Sequence, residues 1–285
     1  MSFSVAQLHE QSQRQLRSLY SKKEAQALSH ALLQHFGKLS RTQLYAFPET
    51  EPSTETIQQI QTAIAGLLAH QPLQYLTGET QFCGFPIEVS GAVLIPRPET
   101  EELVMWAAGS INKDATVIDL CTGSGCIAVA LKKIIPSAEV YACDFSPEAL
   151  EVAQRNALKN NVTIRFFCCD VLSAIVFDKK TDCIISNPPY VRQSEKASMH
   201  KNVLLYEPHQ ALFVPDNDPL IFYRAIARFA QQHLRKDGNV FVEINEALGK
   251  EMKVLFEAAG FTNIELHKDM NGKDRMMRGT ANGTP

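Results

Sequence analysis

From Thr116 onward, short apolar runs and amphipathic helical stretches take turns, and this alternation constrains the fold more than any other feature of the chain. Strands separated by helices build a mostly parallel sheet covered on both faces, because every crossover must run back over the sheet. Val117 to Leu120 reads as a first buried strand, Val140 to Cys143 as a second running into Asp144, and Thr163 to Cys169 as a third running into Asp170. Cys183 to Ser186 reads as a fourth, delivering Asn187. Ser146-Pro147-Glu148 starts one crossover helix with an N-cap and a proline at its first position. Beyond Tyr190, an irregular stretch runs to about Asp218, a loop length that in compact domains signals function or disorder. Helices over Leu220 to Leu234 and Glu246 to Ala259, a strand over Asn239 to Ile244, and a hairpin of Asn263 to His267 with Arg275 to Arg278 around Asn271-Gly272 complete the pattern. A frayed tail is expected from Ala281.

The chain before this region has a different period. Leu8, Leu16 and Leu19 mark one helical stripe, Ala25, Leu28, Leu32 and Phe36 a second, and Ile57, Ile60, Ile64 and Leu67 a third. Ser21-Lys22-Lys23-Glu24 and Ser40 to Gln43 have the form in which a hydroxyl and a carboxylate or amide satisfy each other's orphan backbone donors. Gly37 is the expected left-handed stop of the second helix. No titratable cluster accompanies these stripes, so they predict a small bundle core that serves docking rather than chemistry. Glycines and prolines then punctuate short β-branched and aromatic runs, which predict a hairpin of Thr80 to Cys83 with Ile87 to Val89 around Gly84-Phe85. The expected organisation is a helical docking domain over 1–71, a β-hairpin linker over 72–98 and a catalytic domain over 99–285.

Composition narrows the function. No run approaches the ~18 apolar residues of a membrane span, and the first residues lack an apolar leader, so a cytoplasmic protein without membrane contact is expected. A net charge of −3 gives no overall pull towards nucleic acid, and none is expected as a direct partner. The seven cysteines form no C-x-x-C pair and most sit in apolar runs, which predicts buried reduced thiols and no metal site.

Two stretches carry candidate chemistry. Asp119 is followed by Cys121-Thr122-Gly123-Ser124-Gly125 at a strand-to-helix turn, where glycines admit a ligand to the backbone and a helix N-terminus favours an anionic group. Gly123, Gly125 and Ala128 fit the looser dinucleotide fingerprint, with Asp144 about 20 residues on to hold ribose hydroxyls, so a nicotinamide enzyme and a purely structural turn both stay open. The second stretch, Asn187-Pro188-Pro189-Tyr190, follows an apolar strand. Proline holds the preceding residue extended and has no N–H of its own, so the Asn187 side-chain oxygen and the Pro188 carbonyl form two fixed acceptors for one NH₂ group. A plain strand stop is the other reading of that dipeptide.

Taken together, these two stretches resemble a class I S-adenosylmethionine-dependent methyltransferase acting on a planar NH₂ group. Further runs resemble the HemK/PrmC family: Gln71-Pro72-Leu73-Gln74-Tyr75-Leu76 with Gly78, Phe82 with Gly84, Val93-Leu94-Ile95-Pro96-Arg97-Pro98-Glu99-Thr100-Glu101, Tyr206-Glu207-Pro208, and Lys268-Asp269 with Gly272-Lys273-Asp274-Arg275. The match spans nearly the whole chain. It implies a Rossmann-like catalytic domain behind a helical bundle, S-adenosyl-L-methionine as cofactor, and N5-methylation of the Gly-Gly-Gln glutamine of class 1 peptide chain release factors, by a monomer. By the same resemblance, Cys121, Thr122, Gly123, Ser124 and Gly125 hold the methionine end of the cofactor, Asp144 the ribose, and Asp170 with Val171 the adenine. Asn187 touches both cofactor and substrate; Pro188, Pro189 and Tyr190 complete the substrate site, with Asn187, Pro188 and Tyr190 catalytic and Tyr190 covering the amide face. Arg97, Glu99 and Glu243 are supporting candidates. An adenine-N6 nucleic-acid methyltransferase, which shares Asn-Pro-Pro-Tyr, is the alternative, and a non-catalytic nucleotide-sensing module a third reading. The sequence departs from the family at Phe213 to Asp218, and at Cys121 and Asn245, where glycine is common.

Overall fold

Serine caps begin the first four helices. Ser4 and Gln7, Ser21 and Glu24, and Ser40 and Gln43 each exchange side-chain and backbone hydrogen bonds, which opens α1 (Val5–Leu16), α2 (Lys22–Gly37) and α3 (Arg41–Ala46). Ser53 caps α4 (Thr54–Leu68) by accepting from Thr56 N at 3.1 Å. A short α5 (Leu73–Thr77), whose five residues leave no period to read, follows Pro72. The computed structural model describes residues 3–282. Within them the chain divides into two compact units, one running through Gly78 and including His200–Tyr206, the other formed by Glu79–Met199 with the chain from Glu207 onward.

In the first unit the apolar stripes meet in one core of Val5, Leu8, Leu16, Leu32, Ile60, Ile64 and Leu67. The Tyr20 hydroxyl donates to the Leu67 carbonyl at 2.9 Å. One expectation is corrected here: α2 runs through Gly37, and the left-handed residue is Lys38, at φ 52°. Gly37 is therefore helical, and no packing against it demands a glycine, since an added Cβ would meet only Leu39 and Thr56 at ordinary distances.

The second unit opens with β1 (Glu79–Phe82) and β2 (Phe85–Glu88), paired antiparallel. The turn is Cys83-Gly84, one residue earlier than expected, because these are the two residues with positive φ that a tight hairpin needs. Then come α6 (Pro98–Ala108), β3 (Thr116–Leu120), α7 (Cys126–Ile134), β4 (Glu139–Asp144), α8 (Pro147–Lys159), β5 (Arg165–Cys168) and β6 (Thr181–Ser186). The stretch expected to be irregular contains β7 (Val191–Arg192), α9 (Lys201–Tyr206), β8 (Phe213–Val214) and two 3₁₀ turns, with β7 and β8 paired parallel. The chain ends with α10 (Ile221–His233), β9 (Leu234–Glu243), α11 (Gly249–Ala258), β10 (Phe261–Lys268) and β11 (Asp274–Ala281). β9 starts five residues before the expected Asn239, through an irregularity that contains Asp237 at φ 63° and Gly238. A Cβ at Gly238 would lie 2.9 Å from the Arg235 carbonyl oxygen, so the bulge needs glycine there. The expected frayed tail is paired as far as Ala281, opposite Phe261; its residues 283–285 lie outside the described residues.

One seven-stranded sheet, in the order β10-β11-β9-β6-β3-β4-β5, forms the frame. β5, β4, β3, β6 and β9 are mutually parallel, while β11 and β10 return as an antiparallel hairpin. From β3 the chain steps outward to β4 and β5 and then crosses to β6 on the other side. The order therefore reverses between β3 and β6, where a crevice opens beyond the strands' carboxyl ends. β3 is buried along its whole length, consistent with helices on both faces. No helix among the described residues is long and apolar enough to cross a membrane. The seven cysteines are free thiols; Cys126, Cys143 and Cys183 are buried as expected, whereas Cys168 is exposed near the sheet edge.

Candidate active site

The two sequence motifs leave the sheet side by side. Leu120 and Ser186 are register partners at the ends of β3 and β6, and the Ser186 hydroxyl donates to the Leu120 carbonyl at 2.6 Å. After Leu120 the backbone turns through positive φ at Cys121, Gly123 and Gly125 before α7 begins. A Cβ at Gly125 would sit 2.9 Å from that of Ala153 on α8, so only glycine lets the two helices approach there. Cys121 bears the same left-handed conformation without glycine's freedom. The turn is fastened by Thr122 N to the Cys143 carbonyl at 2.9 Å and by Gly123 N to Asp144 Oδ2 at 2.8 Å. The N-cap of α7 is Gly125, which has no side chain to cap it, so the positive end of the helix dipole lies at this turn.

Three acidic residues on or beyond β3, β4 and β5 accompany this turn. Asp119 is fully buried; its Oδ2 accepts from the Thr122 hydroxyl at 2.5 Å, and its Oδ1 has no hydrogen-bond partner among the described residues. Burial pushes its carboxyl up to about 8, against the opposing Thr122 hydrogen bond and with the Asp144 charge adding to the rise. Asp144, buried at the end of β4, accepts from Gly123 N and, through Oδ1, from Ser146 N at 3.0 Å; burial raises its pKa as well. Asp170 is exposed beyond β5, with Oδ1 on Leu172 N at 2.9 Å and Oδ2 on the Ser173 hydroxyl at 3.1 Å.

The turn after β3, Asp144 and Asp170 line one cleft of about 890 Å³, its open mouth included, which is room for a nucleoside-sized ligand; Asp119 is not part of the lining. Of the residues singled out in the sequence, Cys121, Thr122, Gly123, Ser124, Asp144, Asp170, Val171, Asn187 and Pro189 line it, and Gly125, Pro188 and Tyr190 do not. Sequence reasoning missed Phe145, which projects half exposed into the cleft directly after Asp144, and Thr100. Arg97, expected only as a supporting residue, lines the cleft together with Ala92, Val93, Leu94 and Pro96. That segment is held by Glu207, a buried carboxylate that accepts from Ile95 N at 3.2 Å and from the Arg97 guanidinium at 2.6 Å.

Behind Asn187 lies a chain of hydrogen bonds. Asn187 Nδ2 donates to Thr100 Oγ1 at 3.0 Å, and Thr100 Oγ1 donates to Glu243 Oε2 at 2.6 Å. Glu243 Oε1 accepts from the Tyr190 hydroxyl at 2.8 Å, and its main-chain carbonyl from the Tyr223 hydroxyl at 3.0 Å. Asn245 Nδ2 reaches the Tyr190 carbonyl at 3.2 Å. Burial raises the Glu243 carboxyl, with the Thr100 and Tyr190 hydrogen bonds opposing. Burial, together with the Glu243 charge, holds Tyr190 well above an ordinary phenol, so that its hydroxyl keeps its proton.

Residues 103–214 match the Methyltransferase small domain family, and residues 7–78 match the PrmC N-terminal domain family. The chain is 44% identical over 268 residues to a release factor glutamine methyltransferase of Flavobacterium psychrophilum, covering 92% of this chain and 94% of that protein. It is 40% identical to the protein of that name in Bacteroides thetaiotaomicron, covering 94% and 96%. Among solved structures, a methyltransferase from Pyrococcus furiosus superposes with a TM-score of 0.53 at 18% identity, over 70% of this chain and 90% of that one. A 16S rRNA N2 methyltransferase of T. thermophilus, in complex with AdoMet and guanosine, also gives 0.53 at 18% identity, over 71% and 49%. At that level of identity the structural likeness concerns the fold.

Proposed function

The chain belongs to the family of release factor glutamine methyltransferases and has the class I methyltransferase fold, and on that premise we propose that it transfers a methyl group from S-adenosyl-L-methionine to the side-chain nitrogen, N5, of the Gly-Gly-Gln glutamine in class 1 peptide chain release factors. The observation that carries this reading is the 44% identity that runs through 92% of the chain. That span includes helices that a bare methyltransferase fold does not need, and the helical unit through Gly78 is accordingly assigned to docking the release factor. A cytoplasmic site of action follows from such a substrate.

The cleft suits this cofactor chemically. The N-terminus of α7 suits a carboxylate, and Asp144 and Asp170 retain lone pairs for ribose hydroxyls and an exocyclic amine. When bound, S-adenosylmethionine supplies an activated methyl on a sulfonium sulfur. The protein's part is position. A glutamine amide nitrogen is a weak nucleophile because its lone pair is delocalised into the carbonyl. Asn187 Oδ1 and the Pro188 carbonyl accept the two amide hydrogens, which orients the nitrogen and favours the positive charge that develops on it. Pro189 and Tyr190 bound the substrate side, the tyrosine ring being anchored through its hydroxyl on Glu243.

Asn187→Ala is expected to lower kcat by about 100-fold or more while leaving cofactor binding, read by calorimetry, near its original value; near-normal turnover defeats this mechanism. Labelled S-adenosylmethionine offered with a release factor, with its Gly-Gly-Gln glutamine changed to alanine, or with DNA tests the substrate. Label on the unaltered factor alone is expected, and label on DNA or on the altered factor overturns the proposal in favour of another acceptor.

A further inference from the structure

We propose that Thr100, held by Glu243, fixes which end of the Asn187 side chain faces the substrate, and is therefore a positioning residue for the methyl acceptor. The inference rests on the function proposed above and deepens it. The oxygen and the NH₂ of a side-chain amide have nearly the same shape, so hydrogen bonding alone selects one orientation over its 180° flip. Asn187 serves as an acceptor only if its oxygen faces the cleft. With the amide reversed, an NH₂ group would meet the NH₂ of a glutamine, donor against donor.

Counting protons around Thr100 settles the choice. A threonine hydroxyl has one proton to give and lone pairs to offer, and an ionised carboxylate can only accept. Glu243 takes the Tyr190 proton on Oε1, and Thr100 lies 2.6 Å from Oε2. Thr100 must therefore spend its single proton on Glu243. All it can offer Asn187, 3.0 Å away, is a lone pair, which only the amide NH₂ can meet. The oxygen is left for the cleft, which Asn187 lines. Thr100 and Glu243 are each almost fully buried, so water does not substitute for either partner. The chain of donors thus starts at the side chain that β6 delivers, passes through the first turn of α6, and ends at an accepting carboxylate held on β9.

Three variants test this in the full-length protein, with a release factor and S-adenosylmethionine. Thr100→Val keeps the shape but removes the lone pair; kcat is expected to fall at least about 10-fold, while KM for the release factor and cofactor affinity move less than about 3-fold. Thr100→Ser restores the hydroxyl and is expected to recover most of the lost kcat. Glu243→Gln removes a buried charge, so folding is retained, but its NH₂ can donate to Thr100. The threonine proton is then released towards the Asn187 oxygen, the wrong end is favoured, and kcat again falls about 10-fold or more. Wild-type kcat in Thr100→Val or in Glu243→Gln, or a Thr100→Ser variant as slow as the valine, overturns the inference. Failure of the wild-type protein to label the release factor would instead overturn the function on which it rests.

Discussion

Asp119 is held inside β3 at an electrostatic cost. It has no exposure to solvent, one hydrogen bond on Oδ2 and none on Oδ1, and burial lifts it from 3.8 to about 8. A carboxyl raised on folding binds a proton in the native state that the unfolded chain has already released, so its contribution to stability is complete below 3.8 and is lost as pH rises through about 8. Between pH 6 and 9 the loss amounts to about 3 kcal/mol, which Asp119→Asn, lacking the titration, should not show. Thermal unfolding of both proteins across that range is expected to give curves that diverge from pH 6 to about 8 and run parallel above it; curves parallel throughout would show that Asp119 is ionised in the native state at pH 6. At this scale the sequence was legible where chemistry sits at a strand end. Asp144, Asp170 and Asn187, each following an apolar run, were legible as residues of one cleft. Thr100 was not, since its partner Glu243 is 143 residues away and the acids around it suit a helix N-terminus without any further role.

Elements with a period of their own or bounded by glycine, proline or a polar strand end were predicted to within a few residues, and short ones without such marks were not. β7 and β8 have two residues each and α9 six, so the stretch after Tyr190 showed only a lack of pattern. Yet this stretch supplies Glu207, which organises a wall of the cleft. Residues Leu94 to Arg97 have no regular structure of their own, and the Glu207 carboxylate substitutes for it by taking one backbone donor and one guanidinium. The Glu207 side chain is 1% exposed and that of Arg97 31%, so the pair is shielded on one side only. Glu207→Ala would leave Ile95 N without its acceptor and Arg97 half-buried without its counter-charge. A cost of about 3 kcal/mol is expected, against about 1 kcal/mol for Glu207→Gln, which still offers Ile95 N an acceptor. Chemical denaturation ranks the two; equal costs would mean that the charge, and not the backbone bond, holds the segment. Because α6 begins at Pro98, loosening it also loosens Thr100.

Over the whole molecule, the polypeptide joins its two units at three places rather than one. It passes from the first to the second after Gly78, returns after Met199, and leaves again after Tyr206. The segment that starts at the Asn187 motif therefore runs through the helical unit before it comes back as Glu207. In the helical unit α9 is a short guest without a buried residue of its own, and the Tyr206 hydroxyl fastens its end to the Ala69 carbonyl at 2.8 Å, beyond the end of α4. A six-residue helix is not stable in isolation, so α9 depends on such contacts for its order. Tyr206→Ala removes the ring and the hydrogen bond together, and a loss of about 1.4 kcal/mol in local stability raises the opened population about tenfold. Trypsin should then cut at Lys196 or Lys201 about ten times faster, while the midpoint of global unfolding stays nearly constant. A cleavage rate equal to that of the wild type would show that α9 is held by something other than Tyr206. Faster cleavage together with slower methylation would make this excursion through the helical unit part of what keeps the Glu207 end of the cleft in order.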